Sequence, residues 1–150
     1  MEYTVTTQSI KKDLFIIEYQ IKDLSFINDF KSLIDKNVGA LSYKTNVKGK
    51  MTHWDFFKSV PQFNEILLNM GEIFSAFPFK ALTLVQAWGN ILEKGDQVVI
   101  HNHRYNHISA ILYLTEKGPG TYFPQFNKTV FEKIGKFVFF SGEANHSVAK

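Results

Sequence analysis

The stretch GDQVVIHNHRYNHISAILYL, residues 95–114, decides most of what the sequence says about the fold. One apolar run leads to His101 and His103, and a second apolar run begins after His107. Alternate residues of a β-strand point to the same face, so we expect both imidazoles of the first pair to reach one point in space. The stretch therefore predicts two strands and the first two side chains of a candidate metal site.

A second stretch, GKFVFFSGEANHSV, supplies a third histidine, His146, after another apolar run. Gly95 precedes the first pair and Gly142 precedes His146, each where a turn would deliver the strand that carries the ligand. Two ligands from one strand and one from a later strand can hold a metal and leave coordination positions open. Neutral imidazole suits Fe(II), Zn and Ni alike. The three histidines therefore predict a metal centre, against the alternative of a polar loop without metal.

Two neighbours of the pair have more than one interpretation. His107 shares the parity of His101 and His103 on a continuing strand, so it could replace a carboxylate ligand, orient a substrate or bond the backbone. Arg104 could attract an anionic co-substrate, but on a straight strand its side chain would point away from the pair. We expect Arg104 to be a surface residue.

The composition excludes several classes of protein. The 150 residues fit one domain, 1–150, and the absence of cysteine excludes disulfides and thiolate ligands, so nitrogen and oxygen must hold any metal. A formal net charge of +3 with scattered lysines does not indicate nucleic-acid binding. No apolar run is long enough for a membrane span and the first residues show no signal peptide. We therefore expect a cytoplasmic protein with a small-molecule or peptide substrate, and a homodimer is compatible with the sequence.

The N-terminal half combines two strands with two helices. Strands are predicted at residues 3–7 and 13–19, and a helix within residues 24–39 with Ser25 as its N-cap and Gly39 at its end. Residues 40–52 are polar and contain glycine, which predicts a loop or an irregular crossing. A second helix is predicted from Pro61 to Phe74, before FPFKA breaks the pattern.

The C-terminal half is a series of strands. The segments ALTLVQAWGNIL, DQVVIHNH, HISAILYLT, GTYFPQF and GKFVFFSG are short, apolar and divided by turn signals. This spacing predicts a β-sandwich or jelly roll braced on one face by the two helices, an α+β protein.

The alternation of side chains along two predicted strands indicates an interior lined by polar groups. Ser109 and Tyr113 share one face of their strand, opposite aliphatic residues. Gln86, Trp88 and Asn90 likewise share a face. Buried polar groups need partners, so such stripes favour a wet or ligand-filled interior, although a solvent-facing outer surface gives the same pattern.

The order strand, WGN, turn, GD and HNH, then HISAILYL and GKFVFFSGEANHSV, resembles the 2-oxoglutarate/Fe(II)-dependent oxygenases of phages and bacteria. The resemblance covers residues 81–150 and, more loosely, KTNVKGKMTHW. It implies a double-stranded β-helix, the jelly-roll barrel, with Fe(II) at His101, His103 and His146. It also implies 2-oxoglutarate as co-substrate and hydroxylation of a C–H bond. Phe137, Phe139 and Trp88 are candidate walls of the cavity.

The chain departs from the wider superfamily at two points. His103 stands where most members have Asp or Glu. The Arg or Lys that usually anchors 2-oxoglutarate beyond the distal histidine is absent before Lys150. Either the sequence is truncated at its C-terminus, or the anchor comes from elsewhere, or 2-oxoglutarate does not bind. Substitute anchors on the cavity-facing parity are Asn90, Ser109 and Tyr113.

Two alternatives remain open from the sequence. Gly95 and the HNH pair also fit the first motif of cupins, which share the barrel, although the glutamate of that motif is missing and Gly142 lies one residue too far from His146. This alternative is a metal-dependent enzyme that does not use 2-oxoglutarate. The other is a non-catalytic jelly-roll module with a binding or structural role.

Overall fold

The computed structural model describes residues 2–39, 41–75 and 81–150, and it is an α+β structure with mostly antiparallel sheets. The helices are α1 (Ile27–Asn37), α2 (Pro61–Asn69) and α3 (Gly71–Ser75), with 3₁₀ turns at Phe56–Ser59 and Pro124–Phe126. The strands, in chain order, are β1 (Tyr3–Lys11), β2 (Leu14–Ile21), β3 (Val47–Lys48), β4 (Lys50–Met51), β5 (Asn90–Ile91), β6 (Gln97–His101), β7 (Ile108–Leu112), β8 (Thr121–Phe123), β9 (Lys128–Val130), β10 (Lys136–Ser141) and β11 (His146–Val148).

One sheet has four strands in the order β1-β2-β10-β7. The predicted N-terminal strand pair is confirmed as an antiparallel hairpin, with both strands longer than expected. In β10 the side chains alternate between two cores. Phe137 and Phe139 pack with the helices, whereas Val138 and Phe140 pack on the opposite face. This strand is therefore buried on both sides, which explains its unbroken apolar sequence.

The helices cover the first face of this sheet. Phe30 of α1 is buried, with its ring 5.2 Å from that of Phe57, and Ile34 lies one turn further along. The predicted N-cap at Ser25 is wrong: Phe26 occupies the N-cap, without a side-chain hydrogen bond. The end of the helix before Gly39 is confirmed.

The predicted helix from Pro61 to Phe74 is divided into α2 and α3. The N–H of Met70 is shared among carbonyls of the preceding turn, which ends α2, and Gly71 begins the next helix. Of the predicted break FPFKA, residues 77–80 lie outside the described part of the chain.

The second sheet has five strands in the order β3-β6-β11-β8-β9. It packs on the second face of the four-stranded sheet, where Phe123 and Val130 contact Ile16, Val138 and Phe140. The strands predicted around residues 97–101, 108–112 and 136–141 are confirmed. The segment GTYFPQF is only partly a strand, because a 3₁₀ turn begins at Pro124.

The strand predicted at residues 81–92 is wrong except at β5. Its backbone pairs with an irregular segment: the N–H of Ala87 donates to the Trp54 carbonyl at 3.0 Å, and the N–H of Phe57 donates to the Ala87 carbonyl at 2.9 Å. The stretch at 40–52 contains two short strands, β3 and β4, which pair with β6 and β5. Polar side chains leave the backbone free to form these hydrogen bonds.

A buried ion-pair cluster joins the two sheets. Glu18 on β2 is 5% exposed, and its carboxylate lies 2.8 Å from Lys128 Nζ on β9 and 3.1 Å from Lys136 Nζ on β10. Thr7 also donates to this carboxylate. Burial raises the pKa of Glu18, but the hydrogen bonds from Lys128, Thr7 and Lys136 outweigh it, so the pKa lies below the ordinary value.

Among the described residues, every helix is too short or too polar to cross a lipid bilayer.

Candidate metal centre

His101, His103 and His146 converge on one point. One ring nitrogen from each lies within 4.8 Å of the other two, a separation that could hold a metal ion. The ring centroids are 4.3 Å apart for His101 and His146 and 4.9 Å apart for His101 and His103. It is the one such group of metal-ligating side chains in the described residues.

A bulge in β6 aims His101 at His146. The neighbouring strands pair Val98 with Val148 and His101 with His146, so three steps on β6 face two steps on β11. One extra residue therefore stands at Val99–Ile100, and it places Val98 and His101 on the same face although they are three residues apart. The strand context predicted for His101 is confirmed, but the alternation behind that prediction is interrupted here.

His103 reaches the centre from a turn and not from the strand, which ends at His101. Its N–H donates to the Gly142 carbonyl at 2.7 Å, and the Gly142 N–H donates to the His107 carbonyl at 3.1 Å. A β-carbon at position 142 would overlap the Asn106 carbonyl oxygen and lie 2.6 Å from the His103 carbonyl oxygen. Glycine is therefore required for the turn before His146 to pack against the turn that carries His103.

Two backbone carbonyls fix the imidazole tautomers. Nδ1 of His101 lies 2.8 Å from the Val99 carbonyl oxygen, and Nδ1 of His146 lies 3.1 Å from the Ala144 carbonyl oxygen. A carbonyl oxygen only accepts, so each Nδ1 carries the proton and each Nε2 is left with a free lone pair. This is the second contact that metal-ligating histidines usually make in proteins.

Burial keeps two of the three histidines neutral. The rings of Phe140 and Phe123 lie 4.8 Å and 6.0 Å from His146, and burial lowers the pKa of His146 to about 3. Burial, with a smaller effect of His101, lowers the pKa of His103 to about 4. Metal binding requires unprotonated imidazole, so these two side chains need not lose a proton at neutral pH to bind a metal.

A cavity of about 170 Å³ opens onto His101 and His103. Its other walls come from the 45–54 segment, the 86–88 segment and the residue after His101, namely Thr45, Asn46, Val47, Trp54, Gln86, Trp88 and Asn102. The two tryptophan rings meet edge to face at 4.8 Å, and Trp88 lies 6.1 Å from the His103 ring. Of the three residues in the predicted polar stripe, Gln86 and Trp88 line the cavity and Asn90 does not.

An amide bridge joins the two chain segments that carry the ligands. Asn102 Nδ2 donates to Asn145 Oδ1 at 2.8 Å, and the Asn145 N–H donates to Gln125 Oε1 at 3.0 Å. Because Asn102 follows His101 and Asn145 precedes His146 in sequence, the bridge restrains these two histidines relative to one another.

The structure places the other two candidates from the HNHRYNH stretch elsewhere. His107 and Arg104 line a separate cavity of about 300 Å³ together with Asp13 and Glu143. The Arg104 guanidinium lies over the Tyr105 ring at 5.1 Å. His107 therefore does not join the three converging histidines, and Arg104 points away from them as expected.

The candidate co-substrate residues are dispersed. Asn90 is exposed on β5. Ser109 pairs with Phe140 across the sheet and shares the face that packs on the second sheet. Tyr113 is buried there, and its hydroxyl donates to Thr121 Oγ1 at 2.7 Å. Burial raises the pKa of Tyr113 to about 12.

Of the proposed wall residues, only Trp88 lines the cavity at the histidines. Phe137 and Phe139 belong to the helix-side core, and Phe140, on the opposite parity of β10, is the phenylalanine that contacts His146.

Several site residues were missed by sequence reasoning. Asn46 and Trp54 fall in KTNVKGKMTHW, the segment whose looser resemblance was the one available signal. The Val99 and Ala144 carbonyls carry no side-chain signal, so the sequence could not reveal them.

The arrangement provides three nitrogen donors that could hold a metal ion and a partly enclosed cavity beside them. Searches against protein-family models, curated proteins and solved structures found no match to the chain.

Proposed function

We propose that the chain is an Fe(II)- and 2-oxoglutarate-dependent oxygenase whose metal is held by His101, His103 and His146. The observation that carries the proposal is the convergence of three imidazoles with two tautomers fixed by backbone carbonyls. Nitrogen donors of this kind suit iron, and three ligands leave coordination positions for other molecules. The substrate is a small molecule or a peptide.

The sheet arrangement supports a double-stranded β-helix as the finer description of the fold. Two antiparallel sheets pack face to face, and the ligands come from the neighbouring strands β6 and β11 and from the turn after β6. A jelly roll places its ligands in the same way, at one end of the space between its sheets.

The charge of the donor set supports an anionic co-substrate. Three neutral imidazoles leave the full positive charge of a divalent ion uncompensated by protein. A chelating dicarboxylate such as 2-oxoglutarate would compensate it at the open positions. The ion is itself the strongest local charge in such a site, so it can attract the anion without an arginine.

Iron bound with 2-oxoglutarate and O₂ supplies the oxidising chemistry that hydroxylates a C–H bond. The chain's own part is to position and protect. Phe123 and Phe140 exclude water behind His146, Trp88 covers one side of His103, and the cavity beside the histidines receives the substrate.

A second candidate is a cupin-type metal-dependent enzyme that does not use 2-oxoglutarate. One observation favours it: among the described residues, no lysine or arginine lines the cavity at His101 and His103. A dicarboxylate there would have to find its distal partner elsewhere.

The test combines metal content with co-substrate turnover. The purified chain is loaded anaerobically with Fe(II), its iron is measured, and succinate is followed after adding 2-oxoglutarate and O₂. We expect about one iron per chain and succinate formation, both lost in His103→Ala and both kept in His107→Ala, since three-ligand sites need every ligand. The control changes the same residue type four positions away, in the other cavity.

The outcomes separate the candidates. Iron binding without succinate would favour the cupin-type enzyme. Absence of iron binding in the folded wild-type chain would contradict the oxygenase, and absence of Zn(II) and Ni(II) binding as well would leave the non-catalytic module.

A further inference from the structure

The cavity beside the histidines has walls without charge. Among the described residues, its polar lining side chains other than the histidines are two asparagines, a glutamine and a threonine. Lys48, next in sequence to the lining Val47, donates its Nζ to the Thr45 carbonyl at 2.7 Å and does not line the space. The walls therefore offer hydrogen bonds but no opposite charge to a ligand, so they favour an uncharged ligand.

Two of the carboxamides are available to a ligand. Thr45 accepts a bond from the Val47 N–H, and Asn102 is bonded to Asn145, so both serve the scaffold. Asn46 and Gln86 line the cavity and are exposed, so their amides can bond a ligand there. Each amide offers one acceptor and two donor hydrogens, which suits a ligand that both accepts and donates.

The two tryptophans, packed edge to face, add aromatic walls beside these amides. Trp54 and Trp88 line the same cavity, and their rings are partly exposed to it. Aromatic walls with a few placed polar groups are typical of sites for planar organic groups. The cavity volume of about 170 Å³ suits one such group and not a long chain.

We propose that this cavity binds an uncharged planar amide, held by the Asn46 and Gln86 carboxamides against Trp54 and Trp88. The inference rests on the proposed function in one respect: the bound group is taken to be the substrate part presented to the metal, because His101 and His103 form one wall. A ring lactam, as in a pyrimidine base, and a side-chain carboxamide, as in asparagine or glutamine, share this chemistry.

Tryptophan fluorescence can test the proposal directly, since both tryptophans of the chain line the cavity. The metal-free chain is titrated with uracil, with N-acetylglutamine amide, and with glutarate and propylammonium as charged comparators. We expect a saturable change with at least one neutral amide and none with the charged compounds. Saturation by uracil alone would identify a ring lactam, and saturation by the glutamine derivative alone a side-chain carboxamide.

Gln86→Leu should lower the affinity for the neutral probe about tenfold without unfolding the chain. This is the effect of losing hydrogen bonds worth about 1.4 kcal/mol. Gln8→Leu makes the same change on the exposed face of β1 and should bind as wild type. Binding of neither neutral probe, tighter binding of a charged comparator, or unchanged binding by Gln86→Leu would overturn the proposal. A repeat of the neutral-probe titrations alone, with Zn(II) bound, guards against a loosened metal-free site. Because no turnover is measured, this failure is distinct from a failure of the oxygenase assay.

Discussion

The Nδ1 atom of His101 lies 2.8 Å from the carbonyl oxygen of Val99, inside the bulge of β6. The same extra residue that turns His101 toward His146 thus also presents the carbonyl that fixes its tautomer. One local irregularity provides both the direction and the protonation state that a metal ligand needs.

Metal binding should stabilise the fold. An ion at about a hundred times its Kd adds about 2.7 kcal/mol, and for a chain of this length we expect Tm to rise by roughly 5–10 °C. Thermal unfolding with Zn(II) or anaerobic Fe(II) measures the shift. His101→Ala should abolish it and His107→Ala should retain it. An equal shift in both variants would place the metal elsewhere.

Replacing Gly142 by alanine should damage the centre. The new β-carbon would overlap the Asn106 carbonyl, so the two turns must separate, at a cost of about 1–3 kcal/mol in stability. Because the displaced turn carries His103, metal affinity should fall about 10–100-fold. Denaturant unfolding and metal titration measure the two effects. Gly71→Ala is the matched control, since nothing lies within 4 Å of a β-carbon there. Wild-type affinity in Gly142→Ala would contradict the packing argument.

The amide bridge between Asn102 and Asn145 should appear as an energetic coupling between the two side chains in metal binding. Each alanine variant alone should weaken metal binding, and the double variant should weaken it by less than the sum, with a coupling of about 0.5–2 kcal/mol. Metal Kd values for the four proteins of the cycle give this figure. Strict additivity would mean that the two side chains act independently and that the bridge does not position the ligands.

Acid should weaken the junction between the sheets through Glu18. Its pKa in the folded chain lies below the ordinary 4.5, so its contribution is fully present above that pH and is lost as pH falls through the folded value. Glu18→Gln removes the charge that faces Lys128 and Lys136, and should cost about 3 kcal/mol near neutral pH. The difference from wild type should shrink as the pH falls below 4.5 and through the lower pKa of the folded chain.

Unfolding free energies measured from pH 6 to pH 3 test this expectation. Glu65→Gln changes an exposed carboxylate on α2 and should follow the wild-type curve. A difference between Glu18→Gln and wild type that stays constant with pH would show that packing, and not charge, explains the loss.

Tyr113 should contribute stability and not ligand binding. Its hydroxyl is enclosed between the sheets and bonded to Thr121, so Tyr113→Phe should cost about 0.5–1.5 kcal/mol in unfolding free energy. Its affinity for 2-oxoglutarate, measured with Zn(II) bound, should match wild type. A tenfold loss of that affinity would restore Tyr113 as a co-substrate residue.

Much of the site could be predicted from local pattern, but not its geometry. His101, His103 and His146 are visible because histidine is rare and because their spacing is typical of ligand strands. Strand alternation was the wrong reason for His103, which depends on a contact with Gly142 far along the chain. Such long-range backbone contacts leave no periodic signal in the sequence.

The same limit applies to the fold. The hairpin of β1 and β2 and the buried β10 follow from apolar pattern and turn residues. Residues 81–89 have an equally strong strand pattern, yet their backbone bonds go to an irregular neighbour at Trp54 and Phe57. Strand propensity does not reveal which backbone groups pair in the folded chain, and that pairing determines the structure of residues 81–89.

The bulge in β6 also implies that this strand has a competing alignment. If β6 slid by one residue into a regular ladder, Ile100 would take the place opposite His146 and His101 would turn to the outer surface. Ile100 is 55% exposed in the bulged alignment, so burial of its side chain would favour the regular alignment. A ligand that joins His101 to the other two histidines would favour the irregular alignment, as the contact between His101 Nδ1 and the Val99 carbonyl already does. A bound ion would therefore stabilise the bulged alignment of β6. Its removal would shift the equilibrium toward the regular alignment, in which His101 faces the outer surface.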